Sequence, residues 1–209
     1  MKFLVGNCIE LMHDMGKFDL ILTDPPYNAK NIGHDKKVYS KGLMCLPDEE
    51  YRQFCADWFS EAIKHTERLV FTPGIANICY YPQPRWVLCW YKPAACSFNR
   101  MGGYNAWEPI FIYGKPVKRI AQDVIKVNTL NFSKGAEKNH PCPKQPDLWR
   151  WLLNHFSNKG ESVLDPFSGS GTTAVVCAET GREFTGIDIN EDYNEISKKR
   201  LKNLQRMML

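Results

Sequence analysis

The chain has 209 residues, enough for one α/β domain with a full core and a modest insertion. Hydrophobic residues make up 44% and charged residues 24%, an ordinary globular composition, and no stretch approaches the ~20 apolar residues that cross a bilayer. A formal charge of +4 and a pI near 8.6 are compatible with an anionic partner without requiring one.

The opening run Met1 to Gly6 is too short, and too soon interrupted by Asn7 and Glu10, to read as a signal peptide. The eight Cys include no C-x-x-C pair, so no zinc site is expected. Several sit in apolar contexts, such as Ile78-Cys79-Tyr80 and Val176-Cys177-Ala178. They read as buried thiols of a reducing compartment, the cytoplasm.

Phe3 to Val5 reads as a strand, followed by about two turns of helix bearing Ile9, Leu11 and Met12. Phe18 to Leu22 is a second strand, stopped by Thr23-Asp24-Pro25-Pro26-Tyr27, because consecutive prolines hold the chain extended. Residues 28–47, with Lys30, Lys36, Lys37 and Lys41, read as a mobile basic loop that could meet phosphates or simply solvent. A helix is predicted over 48–66, with Asp48 as N-cap and Tyr51, Phe54, Trp58 and Ile63 at helical spacing. Arg68 to Thr72 is the next strand, ended by Pro73-Gly74.

Trp86 to Tyr91 and Pro109 to Tyr113 read as strands, with irregular pattern between them and on to about residue 139. Trp86, Trp90 and Trp107 are assigned to the core. Pro146 opens a helix with Leu148, Trp151, Leu152 and Phe156 on one face. Ser162 to Leu164 is a strand, Asp165 to Thr173 a glycine-bearing turn, and Thr173 to Ala178 a helix. Glu183 to Ile189 is a strand with Asp188 near its end, and Asn190 caps a final helix. Strands alternating with helices predict an α/β, doubly wound, mostly parallel sheet.

Two stretches carry chemistry. The first is Asp165-Pro166-Phe167-Ser168-Gly169-Ser170-Gly171-Thr172-Thr173, after a strand and opening a helix. Its glycines let backbone pass close to a ligand, and the helix N-terminus offers unpaired N–H groups. Asp188, at the end of the next strand, can accept hydrogen bonds from ribose hydroxyls. Alone, this turn also suits a dinucleotide oxidoreductase, since Ala174 completes G-x-G-x-x-A; a P-loop is excluded, because no Gly-Lys-Ser/Thr follows.

The second is Asp24-Pro25-Pro26-Tyr27. The amino group of a nucleobase is a poor nucleophile, because its lone pair is delocalised into the ring. A carboxylate and a backbone carbonyl accepting its N–H bonds favour a pyramidal nitrogen with a localised lone pair. A tyrosine face beside them stacks on a base taken out of the duplex. A bare tetrad of this kind also fits a proline-rich turn with a satisfied Asp.

With the tetrad preceding the glycine turn by about 140 residues, the chain resembles the amino-methylating DNA methyltransferases of the β arrangement. The resemblance covers Phe3 to Tyr27, Trp90-Tyr91-Lys92, Trp107-Glu108-Pro109, His140-Pro141 and Lys144 to Leu201. It implies a circularly permuted Rossmann-like fold, with S-adenosylmethionine as methyl donor and no metal. The strands ending at Asp24 and Asp165 would be neighbours. Asp24, Pro25, Pro26 and Tyr27 would form the catalytic set. Asp165, Phe167, Gly169, Ser170, Gly171, Thr172 and Thr173 would hold the methionine end of the cofactor, with His140 nearby. Asp188 would hold the ribose, and Asn7 stands where many relatives carry an Asp toward the adenine. One departure is His140-Pro141-Cys142-Pro143-Lys144-Gln145-Pro146, where Gln145 is inserted relative to the His-Pro-x-x-Lys-Pro of relatives.

The resemblance further implies a single catalytic domain over 1–209 with residues 93–139 as an embedded target-recognition region. Its partner would be double-stranded DNA, with a homodimer and a cognate restriction enzyme left open. Asp at the head of the tetrad leans toward N6 of adenine and Ser toward N4 of cytosine, so adenine is expected. N4-cytosine is the alternative, followed by an RNA substrate, a nicotinamide oxidoreductase and a non-enzymatic DNA-binding module. Pro141-Cys142 is read as a structural cysteine rather than the nucleophile of a cytosine-C5 enzyme.

Overall fold

The computed structural model describes residues 1–28, 46–93, 101–127 and 145–208. The basic loop of Lys30–Lys41, and His140, Cys142 and Lys144, lie outside the described residues.

One eight-stranded sheet organises the chain, in the order β1-β8-β7-β2-β3-β5-β4-β6. The strands are β1 (Lys2–Val5), β2 (Leu20–Thr23), β3 (Leu69–Phe71), β4 (Trp86–Tyr91), β5 (Trp107–Tyr113), β6 (Val124–Lys126), β7 (Ser162–Asp165) and β8 (Glu183–Asp188). The helices are α1 (Cys8–His13), α2 (Asp48–Ala62), α3 (Pro146–Phe156), α4 (Thr172–Thr180) and α5 (Glu191–Met208). Strands β1, β8, β7, β2 and β3 run parallel, whereas β5 is antiparallel to both β3 and β4.

The interior strands are apolar throughout because helices cover both faces. Leu20 and Leu22 enter the core beneath α3 and α4, and Ile21 enters the one beneath α1 and α2. All three are fully buried, each contributing about 1.5–3 kcal/mol of transfer free energy. The second core is dense in rings: Trp58 meets Phe71, Tyr81 and Phe167 edge-on at centroid distances of 5.1, 5.7 and 5.5 Å.

The strand order reverses between β7 and β2. From there β8 and β1 lie to one side, and β3, β5, β4 and β6 to the other. The two halves meet in parallel register, Leu20 beside Val163 and Ile21 beside Leu164. At the amino ends of this pair the Asp19 carboxylate accepts from the Ser162 N–H and hydroxyl, both at 2.8 Å. These bonds hold the Asp19 carboxyl below its ordinary range. The carboxyl ends open the crevice in which doubly wound sheets place their ligands.

Several expectations need correction. Helix α2 is capped by Pro47 without a side-chain bond; Asp48 is already its first residue and acts with Glu49 and Glu50 on the helix dipole. In α3 it is Trp149, not Trp151, that is buried with Leu148, Leu152 and Phe156; Trp151 stacks on His155 at 3.8 Å. Strand β6 lies in the stretch read as irregular. Trp90 is in the core, but Trp86 is 60% and Trp107 40% exposed, each being the first residue of its strand. Cys79 is exposed, unlike Cys8, Cys55 and Cys177.

Candidate active site

Asp24 directly follows β2, and Asp165 is the last residue of the adjoining β7. Their neighbourhood is the expectation drawn from motif order, and the topology realises it. The Thr23 hydroxyl donates to Asp165 Oδ1 at 2.6 Å, so the chain preceding the tetrad is bonded to the carboxylate that begins the glycine turn.

Asp165 is 3% exposed. Besides Thr23, it accepts from the Phe167 N–H at 3.1 Å and, through Oδ2, from the Thr173 hydroxyl at 2.5 Å. Burial pushes its carboxyl up to about 6, against these hydrogen bonds. Asp165 thus fixes both ends of the turn that it opens.

The turn itself is left-handed at Gly169 and Gly171, with φ of +48° and +79°. A Cβ on Gly171 would lie 2.4 Å from Ser197 Oγ, so only glycine fits where the turn presses on α5. From that helix Ser197 donates to the Gly169 carbonyl at 3.1 Å, and Arg200 to the Ser170 carbonyl at 2.6 Å. Helix α4 then starts at Gly171 with no side-chain cap, leaving its first N–H groups for an anionic ligand. Ser170, Thr172 and Thr173 are buried around this start.

Asp188 accepts from the Gly169 N–H at 2.9 Å and from the Asn190 N–H at 2.8 Å, and burial raises its carboxyl. The glycine turn is therefore tied to two strand ends, those of β7 and β8. Asn7 stands next to Asp188, since Val5 pairs with it and the Gly6 N–H donates to its carbonyl at 3.0 Å. The Asn7 amide caps α1, accepting from the Ile9 N–H and donating to Glu10, both at 3.0 Å.

In the tetrad, the Tyr27 hydroxyl donates to Asp24 Oδ1, which also accepts from the Thr72 hydroxyl. The Tyr27 ring packs on Gly74, where a Cβ would come within 3.1 Å of it. The Pro26 carbonyl accepts from Tyr51 at 2.8 Å, and Asn77 bridges Tyr51 and the Pro73 carbonyl at 3.1 and 3.0 Å. The sequence did not mark Thr72, Tyr51 or Asn77 as site residues. Only Pro73-Gly74, as a strand stop, pointed to this place.

Farther along the sheet Lys92, 5% exposed, pairs with Glu108 and lies 5.0 Å over the Trp90 ring. This joins the two ends of the connection between β4 and β5.

The structure thus brings Asp24, Tyr27, Asp165, the glycine turn, Asp188 and Asn7 to one end of one sheet. A doubly wound sheet with this pair of elements at its switch point is the framework of a nucleotide-type group-transfer enzyme. Residues 83–199 match the family model described as DNA methylase, that of the N6 and N4 methyltransferases. The chain belongs to this family.

Among curated relatives, the type II methyltransferase M.HpaI of Haemophilus parainfluenzae is 27% identical across 96% of this chain and 74% of its own length. The DNA adenine methyltransferase YhdJ of Escherichia coli K12 is 44% identical over 64 residues, 31% of this chain and 22% of its own. The solved complex of M1.HpyAVI with SAM superposes with a TM-score of 0.72 at 21% identity, covering 96% of this chain and 98% of that one. The cytosine-N4-specific PvuII DNA methyltransferase does so with a TM-score of 0.69 at 14% identity, covering 97% and 90%.

Proposed function

We propose that this DNA methyltransferase transfers a methyl group from S-adenosylmethionine to N6 of adenine in double-stranded DNA. The observation that carries the proposal is the meeting of Asp24 and the glycine turn at adjoining strand ends, linked through Thr23 and Asp165.

S-adenosylmethionine supplies an electrophilic methyl group on a sulfonium. The residues present suit it. The uncapped start of α4 at Gly171 offers N–H groups to its carboxylate, with Asp165, Phe167, Gly169, Ser170, Thr172 and Thr173 shaping that end. Asp188 stands where a ribose is held, with Asn7 toward the adenine. A bound M1.HpyAVI relative of the same fold supports the choice of donor.

Asp24 and the Pro25 carbonyl accept the N–H bonds of the target amine, localising its lone pair. As the methyl group passes to the amine, the proton that the amine loses would leave by way of the Asp24 carboxylate that accepts its N–H. Tyr27 stacks on the flipped base. For this its hydroxyl must leave Asp24, on which it rests here. Positioning and fixed dipoles supply the rate gain, with no covalent link between enzyme and DNA.

Adenine is favoured by Asp at the head of the tetrad and by the adenine specificity named for YhdJ. N4 of cytosine is the competing target, as in the PvuII enzyme. Family membership sets aside the oxidoreductase and non-enzymatic readings. Residues 93–139 are proposed to choose the sequence, although 94–100 and 128–139 lie outside the described residues. The type II naming of M.HpaI supports pairing with a restriction enzyme in a prokaryotic or phage cytoplasm.

The test is transfer of a labelled methyl group to unmethylated genomic DNA, followed by digestion to nucleosides and mass spectrometry. N6-methyladenine is expected. N4-methylcytosine would overturn the base assignment, and label in RNA alone would overturn the substrate class.

A further inference from the structure

We infer that Thr72, one residue beyond β3, is a positioning residue that holds Asp24 while Tyr27 is away stacking on the base. The inference rests on the catalytic reading of Asp24 proposed above.

Three oxygens form a triangle: Asp24 Oδ1, the Tyr27 hydroxyl and the Thr72 hydroxyl. Both hydroxyls reach Oδ1, and they lie 3.2 Å from each other. Each hydroxyl has one proton to donate. With both protons pointing at Oδ1, one carboxylate oxygen accepts from two hydroxyls that come from different elements, the tetrad and the end of β3.

The surroundings of the two donors differ in the same sense. Thr72 is fully buried, and its N–H donates to the Thr23 carbonyl at 3.4 Å, extending the pairing of β3 with β2. Its backbone and χ1 are fixed by that strand end and by its branched Cβ. The Tyr27 ring is only half-buried, on a rigid proline pair, and the stacking role requires it to move. Once the Tyr27 hydroxyl has left, the Thr72 bond still holds the carboxylate oxygen Oδ1. A charge-assisted bond of this kind is about twice as strong as a neutral one. An error of 1 Å in the position of a reacting group costs on the order of a hundredfold in rate.

The Asp24 carboxylate must meet the incoming amine at one orientation. Thr72 therefore acts on turnover rather than on binding of either substrate. It is a residue of the β3 end, which the tetrad motif does not include.

The experiment compares Thr72→Val, Thr72→Ser and Thr72→Ala with wild type and with Asp24→Ala, in single-turnover methyl transfer. KM for DNA, Kd for S-adenosylmethionine and Tm are measured alongside. Thr72→Val is expected to lower the rate by about ten- to a hundredfold with KM and Kd close to wild type, and Thr72→Ser to restore it to within about threefold. Wild-type turnover in Thr72→Val, with Asp24→Ala inactive, overturns this inference and leaves the proposed function standing. Near-native activity in Asp24→Ala overturns the proposed function itself. If Thr72→Val does not fold, Thr72→Ala against Thr72→Ser decides. A lower rate in the alanine variant alone supports the role, and equal rates overturn it.

Discussion

Thr23 and Asp165, 142 positions apart in sequence, share a buried hydrogen bond of 2.6 Å between adjoining strands of opposite halves of the sheet. The bond explains how a permuted motif order still yields one site. The tetrad inherits its place from Thr23, and the glycine turn inherits its place from Asp165. Thr23→Val leaves Asp165 with one donor fewer in a buried setting. A loss of roughly 1–3 kcal/mol of stability is expected in urea unfolding, with Thr23→Ser much closer to wild type.

The raised carboxyl of Asp165 predicts a pH dependence. Its folded value is about 6, against an ordinary 3.8. Between these values the folded state holds a proton that the unfolded state has lost. The contribution of Asp165 to stability therefore falls as pH rises from about 4 to about 6, by up to roughly 3 kcal/mol, and is flat above. Measured as the difference between wild type and Asp165→Asn in urea midpoints, this slope should be negative across that window. A positive slope would contradict the assigned environment.

Glu61 predicts the opposite sign at lower pH. Its carboxylate pairs with Lys64 at 2.7 Å and His65 at 3.0 Å, with His13 farther off at 3.6 Å, and Lys64 and His65 hold its carboxyl down at about 2. The stability it gives is present above pH 4.5 and is lost as pH falls toward 2. Glu61→Gln should lower stability at pH 6 and flatten the acid limb of the denaturation curve.

Gly171 predicts a steric failure. Its φ of +79° and the 2.4 Å approach of a Cβ to Ser197 Oγ act together. Gly171→Ala is expected to cost about 1–3 kcal/mol and to weaken S-adenosylmethionine binding, read by calorimetry. Ser197→Ala alone, which removes the hydroxyl's bonds to the Gly169 and Tyr193 carbonyls without straining the turn, should cost less.

Tyr27 separates two contributions. Tyr27→Phe keeps the ring and removes the bond to Asp24 that must break before stacking, so turnover within about threefold of wild type is expected. Tyr27→Ala removes the stacking face and should lower kcat/KM for DNA by about ten- to a hundredfold, at ~1–3 kcal/mol per stacked base. Equal losses in both variants would show that the hydroxyl, not the face, matters.

Most of the fold was legible because its interior strands are short apolar runs ended by Pro, Gly or Asp, as at Leu22 and Phe71. The glycine turn and Asp188 were legible because their backbone demands leave few residue choices. Thr72 was not, because a threonine after an apolar run looks like any strand end; its importance comes from a partner 48 positions away. Trp86 and Trp107 were misassigned because an apolar run does not tell a strand's first residue from its middle, and each of these rings, at a strand start, stays partly in solvent. The three residues of β6 alternate exposed, buried, exposed, too few to carry a period. Tyr51 was read as a core residue of its helix, which it is, but its hydroxyl reaching Pro26 follows only from the packing of α2.

The central claim is that Asp24 acts on the target amine and not on the methyl donor. It is tested most directly by Asp24→Ala, comparing single-turnover methyl transfer to DNA with S-adenosylmethionine affinity in the same preparation. The account predicts that transfer falls by at least about a thousandfold while Kd stays within about threefold of wild type. Near-native transfer, or a loss of transfer matched by an equal loss of donor binding, would contradict it.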